Sequence, residues 1–208
     1  MKPELQAQLY AKYPEIFKEH SLPMTQTAMN WGCQHGDGWF DILDHLCYAL
    51  TYTYSTGFMD GEEYITVEAP QVVFTTVKEK YGTLRVYHHL AFDEAFCDQH
   101  KDNPELERVI NRYSSYYDGI VHMAECMSER TCEETGKPGE LHVTGNRYGW
   151  YKTLNREHAK TDPFCVSRGY VPVADLPKEP EEVKIKMENG STITAAETPE
   201  DATRGFDV

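Results

Sequence analysis

The chain has 208 residues, 40% hydrophobic and 26% charged, with 34 acidic against 20 basic side chains and a formal charge of -14. That length supports one sizeable core with a small appendage, and no run approaches the roughly 18 apolar residues of a membrane-spanning helix. The acidic balance excludes general binding to nucleic acid, whose affinity comes from neutralising phosphates; it suits a soluble protein, one that meets basic partners, or one that imitates a polyanion.

In chain order, residues 3–19 carry Leu5, Leu9, Tyr13 and Phe17 on one helical stripe, interrupted at Pro14. Residues 22–35 read as loop, ending in WGCQHGDGW, and a second helix follows from Trp39 to Tyr54. Residues 55–70 read as loop with a short strand at 64–67. Residues 71–90, QVVFTTVKEKYGTLRVYHHL, read as a β-hairpin turning at Tyr81-Gly82. Asn103 and Pro104 then open the clearest helix, running to about residue 128 with apolar residues at helical period. Residues 131–165 turn rich in Gly, Thr and charge, with a strand expected at 140–144 and a short element at 150–154. Residues 172–182 read as a Pro-rich linker, and 183–208 as a small hairpin about Asn189-Gly190 with a polar tail. The expected fold class is α+β: an antiparallel sheet centred on the hairpin, packed on amphipathic helices, in a main domain of residues 1–171.

The hairpin organises the rest. A two-residue turn sets Lys80 opposite Thr83 and Lys78 opposite Arg85. Strand alternation then gives a core face of Val73, Val77, Leu84, Val86 and Leu90, with Thr75, Glu79 and His88. The other face carries Phe74, Lys78, Lys80, Arg85, Tyr87 and His89. Like charges directly opposite repel, so Lys78 beside Arg85 requires a carboxylate from this chain or an external anion. Lys78, Lys80, Arg85, Tyr87 and His89 are therefore the candidate anion or nucleotide site, since cations beside aromatic rings suit a phosphate next to a flat base.

Several motifs together resemble a family of uncharacterised bacteriophage proteins. They are Gly38-Trp39 before a helix, KEKYGTLRVY at 78–87, Ser128 with Thr131-Cys132-Glu133, then Gly136, Pro138 and Gly139, and lastly Gly149-Trp150, Thr153-Leu154 and His158. The likeness spans about residues 30–160 and implies a phage origin and a fold, with no assigned activity. The family pattern carries Cys-x-x-Cys after the long helix and Cys-x-x-His after the tryptophan, a zinc-knuckle spacing. This chain keeps Cys132 and His158 but has Thr135 and Asn155 at the other two positions. No metal or other cofactor is expected; Cys126, Cys165 and His142 are the substitutes a rearranged loop would need, and Cys33 with His35 is a weaker pair.

Nucleophile-elbow, P-loop and zinc-protease motifs do not occur. Asp41 and Asp44, three apart on a helix with His45 nearby, suit acid–base chemistry, although a solvated helix face is the commoner use of such a cluster, and Tyr113, Tyr116 and Tyr117 read as packing. No catalytic residue is assigned. The expectation is a binding protein that counters a host defence or redirects a host protein, meeting a host protein or a small anionic ligand and no membrane. The alternatives are a nucleotide-processing enzyme using the cationic face, or a virion structural protein. No apolar stretch follows MKPELQAQLY, so the cytoplasm is the expected compartment, with all six cysteines reduced. The oligomeric state is not legible.

Overall fold

Pro14 sets the first boundary. The computed structural model, which describes residues 1–145 and 149–177 and two later strands, ends helix α1 (Pro3–Lys12) at Tyr13, because a residue before proline is disfavoured in helical geometry. Short 3-10 turns at Lys18–Ser21, Ala28–Trp31 and Asp37–Trp39 carry the chain past strand β1 (Cys33–Gln34) to α2 (Phe40–Leu50). The second helix stops short of Tyr54, since Thr51–Tyr54 is a β-branched and aromatic run. Strands β2 (Thr56–Asp60) and β3 (Glu63–Val67) form a hairpin about Gly61 where a single strand was expected.

Strands β4 (Gln71–Lys80) and β5 (Thr83–Ala91) pair antiparallel as expected, with Lys80 opposite Thr83, Lys78 opposite Arg85 and Val77 opposite Val86. Tyr81 and Gly82 take φ 56° and 79°, the left-handed pair of a type I′ turn. Strand β1 adds in parallel beside β4, giving the order β1-β4-β5.

The two faces need one correction. The register shifts between Phe74 and Thr76, so Thr75 is an extra bulge residue. A bulge interrupts alternation. Phe74 and Val72 therefore lie on the core face with Val77, and the Phe74 ring meets Phe17 edge-on at 5.3 Å. Val73, expected in the core, pairs with His89 on the opposite face, where it is buried.

Helix α3 (Glu94–His100), capped by Asp93, forms in a stretch for which no element was expected. Helix α4 (Pro104–Ser128) begins where Asn103 and Pro104 predict. It also closes the outer edge of β5: the Leu84 N–H donates to Ser128 Oγ at 2.8 Å and the Val86 N–H to Glu125 Oε1 at 3.1 Å. Satisfying an edge strand with side chains removes a template for aggregation. Trp39, Leu43, Val77, Leu84, Tyr113 and Tyr117 belong to the resulting core.

The remaining segment forms strands β6 (Glu140–Thr144), as expected, and β7 (Tyr151–Leu154), where a short element was expected, then α5 (Arg156–Thr161), α6 (Pro163–Arg168) and β8 (Tyr170–Pro172). The sheet order is β7-β6-β8, so Pro172, read as the start of a linker, pairs with His142 instead. A second small core joins Cys132, Leu154, Ala159 and Cys165. The chain divides into two compact units, Met1–Ala174 and Asp175–Val208. In the second, β9 (Glu182–Lys186) pairs antiparallel with β10 (Thr192–Ala196), as the alternating pattern predicts. The turn at Asn189-Gly190, Pro180 and the tail beyond Ala196 lie outside the described residues.

Candidate functional site

The β4–β5 tip presents the sequence-predicted cations unequally. Arg85 lies 3.7 Å from Glu125 on α4, and its Nη1 donates to the Leu84 carbonyl at 2.9 Å. His89 faces Glu19 at 3.7 Å. Those two groups meet carboxylates of the chain itself. Lys78 and Lys80 have no carboxylate within ion-pair reach among the described residues. Each lies over a ring instead: Lys78 Nζ is 5.5 Å from the centre of Tyr87, and Lys80 Nζ 5.3 Å from that of Tyr81. A cation over a ring face is attracted by the ring quadrupole, by about 0.5–1 kcal/mol at an exposed site.

Beside the tip opens a cleft of about 510 Å³, lined among the described residues by Glu79, Lys80, Tyr81, Gly149, Trp150 and Tyr151. Tyr81 is 69% exposed and Trp150 76%. Tyr81 holds its left-handed φ without the freedom of Gly or the local hydrogen bonding of Asn. Glu79 steadies the turn by accepting the Gly82 N–H at 2.5 Å. The arrangement therefore sets two exposed rings and an ammonium at one cleft, Lys80 and Tyr81 from the hairpin and Trp150 from just before β7.

Below the tip, several of the motifs singled out in the sequence converge on one junction. The Trp39 indole N–H donates to the Thr131 carbonyl at 2.7 Å, and the Gly38 N–H to the Glu133 carbonyl at 2.7 Å. A Cβ on Gly38 would come within 3.0 Å of Cys132 O, Thr135 N and Gly136 N, so only glycine allows this approach. The Thr153 hydroxyl donates to the Gly82 carbonyl at 2.6 Å, tying the tip to β7. At the centre Glu133, 3% exposed, accepts the Gly36 N–H at 2.9 Å with one oxygen and meets Lys152 at 3.1 Å with the other. Lys152 also reaches Glu134 at 2.6 Å. Burial pushes the Glu133 carboxyl up despite Lys152, while Lys152, against its own burial, is held upward by Glu133 and Glu134. Both directions hold because the burial penalty falls mainly on the more enclosed Glu133. His35 packs on Trp39, and burial takes its imidazole down to about 4, so it is neutral at pH 7.

In the knuckle segment, Thr135 and Asn155 have structural duties. Thr135 Oγ1 accepts the Lys137 N–H at 3.3 Å. Asn155 caps α5, accepting from Glu157 and His158, and its amide donates to the Pro138 carbonyl at 2.9 Å. Cys126 stays on α4 beside His122, 3.6 Å away. His142 is buried, with Nδ1 on the Glu140 carbonyl. Cys33 is buried in β1. Of the other sequence candidates, Asp44 binds Lys12 at 2.7 Å and accepts from the Tyr13 hydroxyl at 3.0 Å, tying α1 to α2, while His45 turns to the Asp41 carbonyl. Tyr113 and Tyr117 are core residues, as read.

Comparison with family models, with curated proteins and with solved structures finds no match for the chain. Among the described residues no helix is long and apolar enough to cross a membrane. Sequence reasoning missed the approach of Trp150 to Tyr81, for which alternation within one hairpin carries no signal. It also missed the grouping of His158, Asp162 and Cys165, whose spacing of four and three residues is a helical one.

Proposed function

We propose that this protein is a binding protein that captures a nucleotide at the β4–β5 tip. The observation that carries the reading is Lys80, free of carboxylate partners among the described residues, at one cleft with the exposed rings of Tyr81 and Trp150, while Lys78, equally free, lies over Tyr87 on the same face of the hairpin as Lys80. Ammonium groups meet phosphate oxygens by charge-assisted hydrogen bonds. Rings accept a base by stacking, worth about 1–3 kcal/mol per base. A single nucleotide suits the site better than a polymer, because the formal charge of -14 repels a long polyanion while a few phosphates meet mainly the local lysines. Arg85, engaged with Glu125, takes the role of orienting the strand edge, with Lys78 and Lys80 donating hydrogen bonds to the phosphate. The resemblance to phage proteins supports a setting in the infected cell, where capture would withhold a nucleotide signal from the host.

The test is calorimetric titration of the full chain with nucleoside mono-, di- and triphosphates. One nucleotide should bind at one per chain and be recovered unchanged, and Lys78→Ala with Lys80→Ala should abolish binding while leaving the melting temperature in place. No binding by any of them, or equal binding by the double variant, overturns the reading. A nucleotide that is consumed would replace it with an enzymatic one.

A further inference from the structure

A second site lies at the corner between α5 and α6, independent of the nucleotide reading. His158 sits in α5, Asp162 joins the two helices, and Cys165 lies one turn into α6. Their ligand atoms, one per residue, all fall within 4.8 Å of one another. We propose that His158, Asp162 and Cys165 bind one divalent metal ion of zinc-like, borderline softness, with water in the fourth position.

The donor set is one imidazole nitrogen, one carboxylate oxygen and one sulfur. Zinc takes all three, at about 2.0–2.2 Å for nitrogen and oxygen and about 2.3 Å for sulfur, which puts tetrahedral ligand atoms roughly 3.2–3.8 Å apart. Closing from 4.8 Å to that spacing asks each pair of ligand atoms to approach by at least about 1 Å at the widest, the scale of a side-chain rotation. Asp162 uses Oδ1 to accept the Cys165 N–H at 2.9 Å, which fixes the carboxylate beside the Cys165 thiol. Cys165 is 2% exposed and forms the floor, while His158 and Asp162 are half-buried and form the mouth. Capping alone asks only for Asp162, and packing alone only for Cys165. Neither asks for an imidazole within reach of both. As the metal–sulfur bond forms, the thiol proton leaves to solvent.

This set differs from the knuckle spacing in the sequence. It uses His158 but takes its other two ligands from α6 and its cap, where Thr135 and Asn155 offer none. Hard divalent ions that want six oxygens, such as Mg²⁺, do not suit it.

The experiment is titration of the metal-stripped full chain with Co²⁺, followed by displacement with Zn²⁺. The expected result is one equivalent of Co²⁺, with visible bands of a tetrahedral ion and a near-ultraviolet thiolate-to-cobalt band, both lost on adding Zn²⁺. Cys165→Ser should lose the thiolate band and Cys132→Ser should keep it. Asp162→Asn preserves a good helix cap, so it should fold normally and bind at least about tenfold more weakly, the smallest loss typical even of an outer partner to a ligand. Its circular dichroism and metal-free melting temperature, matching those of the unsubstituted protein, separate this loss from misfolding. Absence of the thiolate band in the unsubstituted chain overturns the proposal. So does a band that survives in Cys165→Ser or vanishes in Cys132→Ser, and so does unchanged affinity in Asp162→Asn.

Discussion

Replacing Lys152 with methionine keeps an apolar stem in place and removes the charge that faces Glu133. Glu133 is 3% exposed and the Lys152 side chain 20%, so the pair is largely out of water. Breaking a buried pair by removing one partner costs about 3–5 kcal/mol, because the remaining charge is stranded. Glu133 has one escape, which is to take up a proton. At pH 7, about 2.7 pH units above an ordinary glutamate, that costs about 3.7 kcal/mol. The cheaper route sets the loss, so Lys152→Met should be less stable by about 3–4 kcal/mol at pH 7. At about 2–4 °C per kcal/mol for a chain of this size, the melting temperature should fall by roughly 6–16 °C. The sign with pH follows from linkage. Glu133 is already shifted up in the folded protein, and the variant shifts it further, so folding takes up a proton above the ordinary carboxylate range. The deficit should therefore be small near pH 4.5 and grow as pH rises. Lys152, held upward by ionised Glu133 and Glu134, contributes its share below the ordinary lysine value while those carboxylates are charged, so the share fades towards pH 4.5 and is lost again as pH rises through the lysine range. Urea melts of both proteins from pH 4.5 to 8, read by far-ultraviolet circular dichroism, measure this. Equal stability at pH 7, or a deficit that shrinks as pH rises, refutes the reasoning.

Gly38→Ala forces a Cβ onto three backbone atoms of the knuckle turn, so thermal melts should show a loss of several kcal/mol or no folded protein. Tyr81→Asn should melt at the same temperature or higher, because asparagine bears a left-handed φ about 1 kcal/mol more easily; its nucleotide affinity, by calorimetry, should fall at least about fivefold for loss of the stacking ring. Both apolar cores lie within residues 1–174, so a chain ending at Ala174 should melt within about 2 °C of the full one by calorimetry.

The sequence made the hairpin legible because three local signals agreed. A residue pair tolerant of the turn, β-branched flanks and strict alternation beyond residue 76 all gave the same register. Helix α4 was legible for a similar reason, with a cap, a proline and an apolar stripe at helical period. The bulge at Thr75 was not, since an extra residue leaves composition unchanged and shows only as core-facing Phe74 and Val77 standing three residues apart, where alternation asks for an even spacing. Helices α3, α5 and α6 are 7, 6 and 6 residues long, too short for periodicity to accumulate, although Asp93, Asn155 and Asp162 mark their caps. At the candidate site, alternation aligned Lys78, Lys80, Arg85 and Tyr87 correctly. Only tertiary packing could reveal that Glu125 of α4 engages Arg85, and that β7 delivers Trp150 to the cleft beside Tyr81.

The central claim is nucleotide capture at the hairpin tip, and the chain's three tryptophans offer its most direct test. Each indole N–H gives one signal in a ¹⁵N–¹H correlation spectrum. The Trp39 indole is buried and bonded to the Thr131 carbonyl, whereas Trp150 lines the cleft. Titration with the nucleotide should move the Trp150 signal, assigned by Trp150→Phe, together with the backbone signals of Lys80 and Tyr81, while the Trp39 signal stays in place. A Trp150 signal unmoved by every nucleotide, or shifts confined to Trp31 or Trp39, would contradict the account.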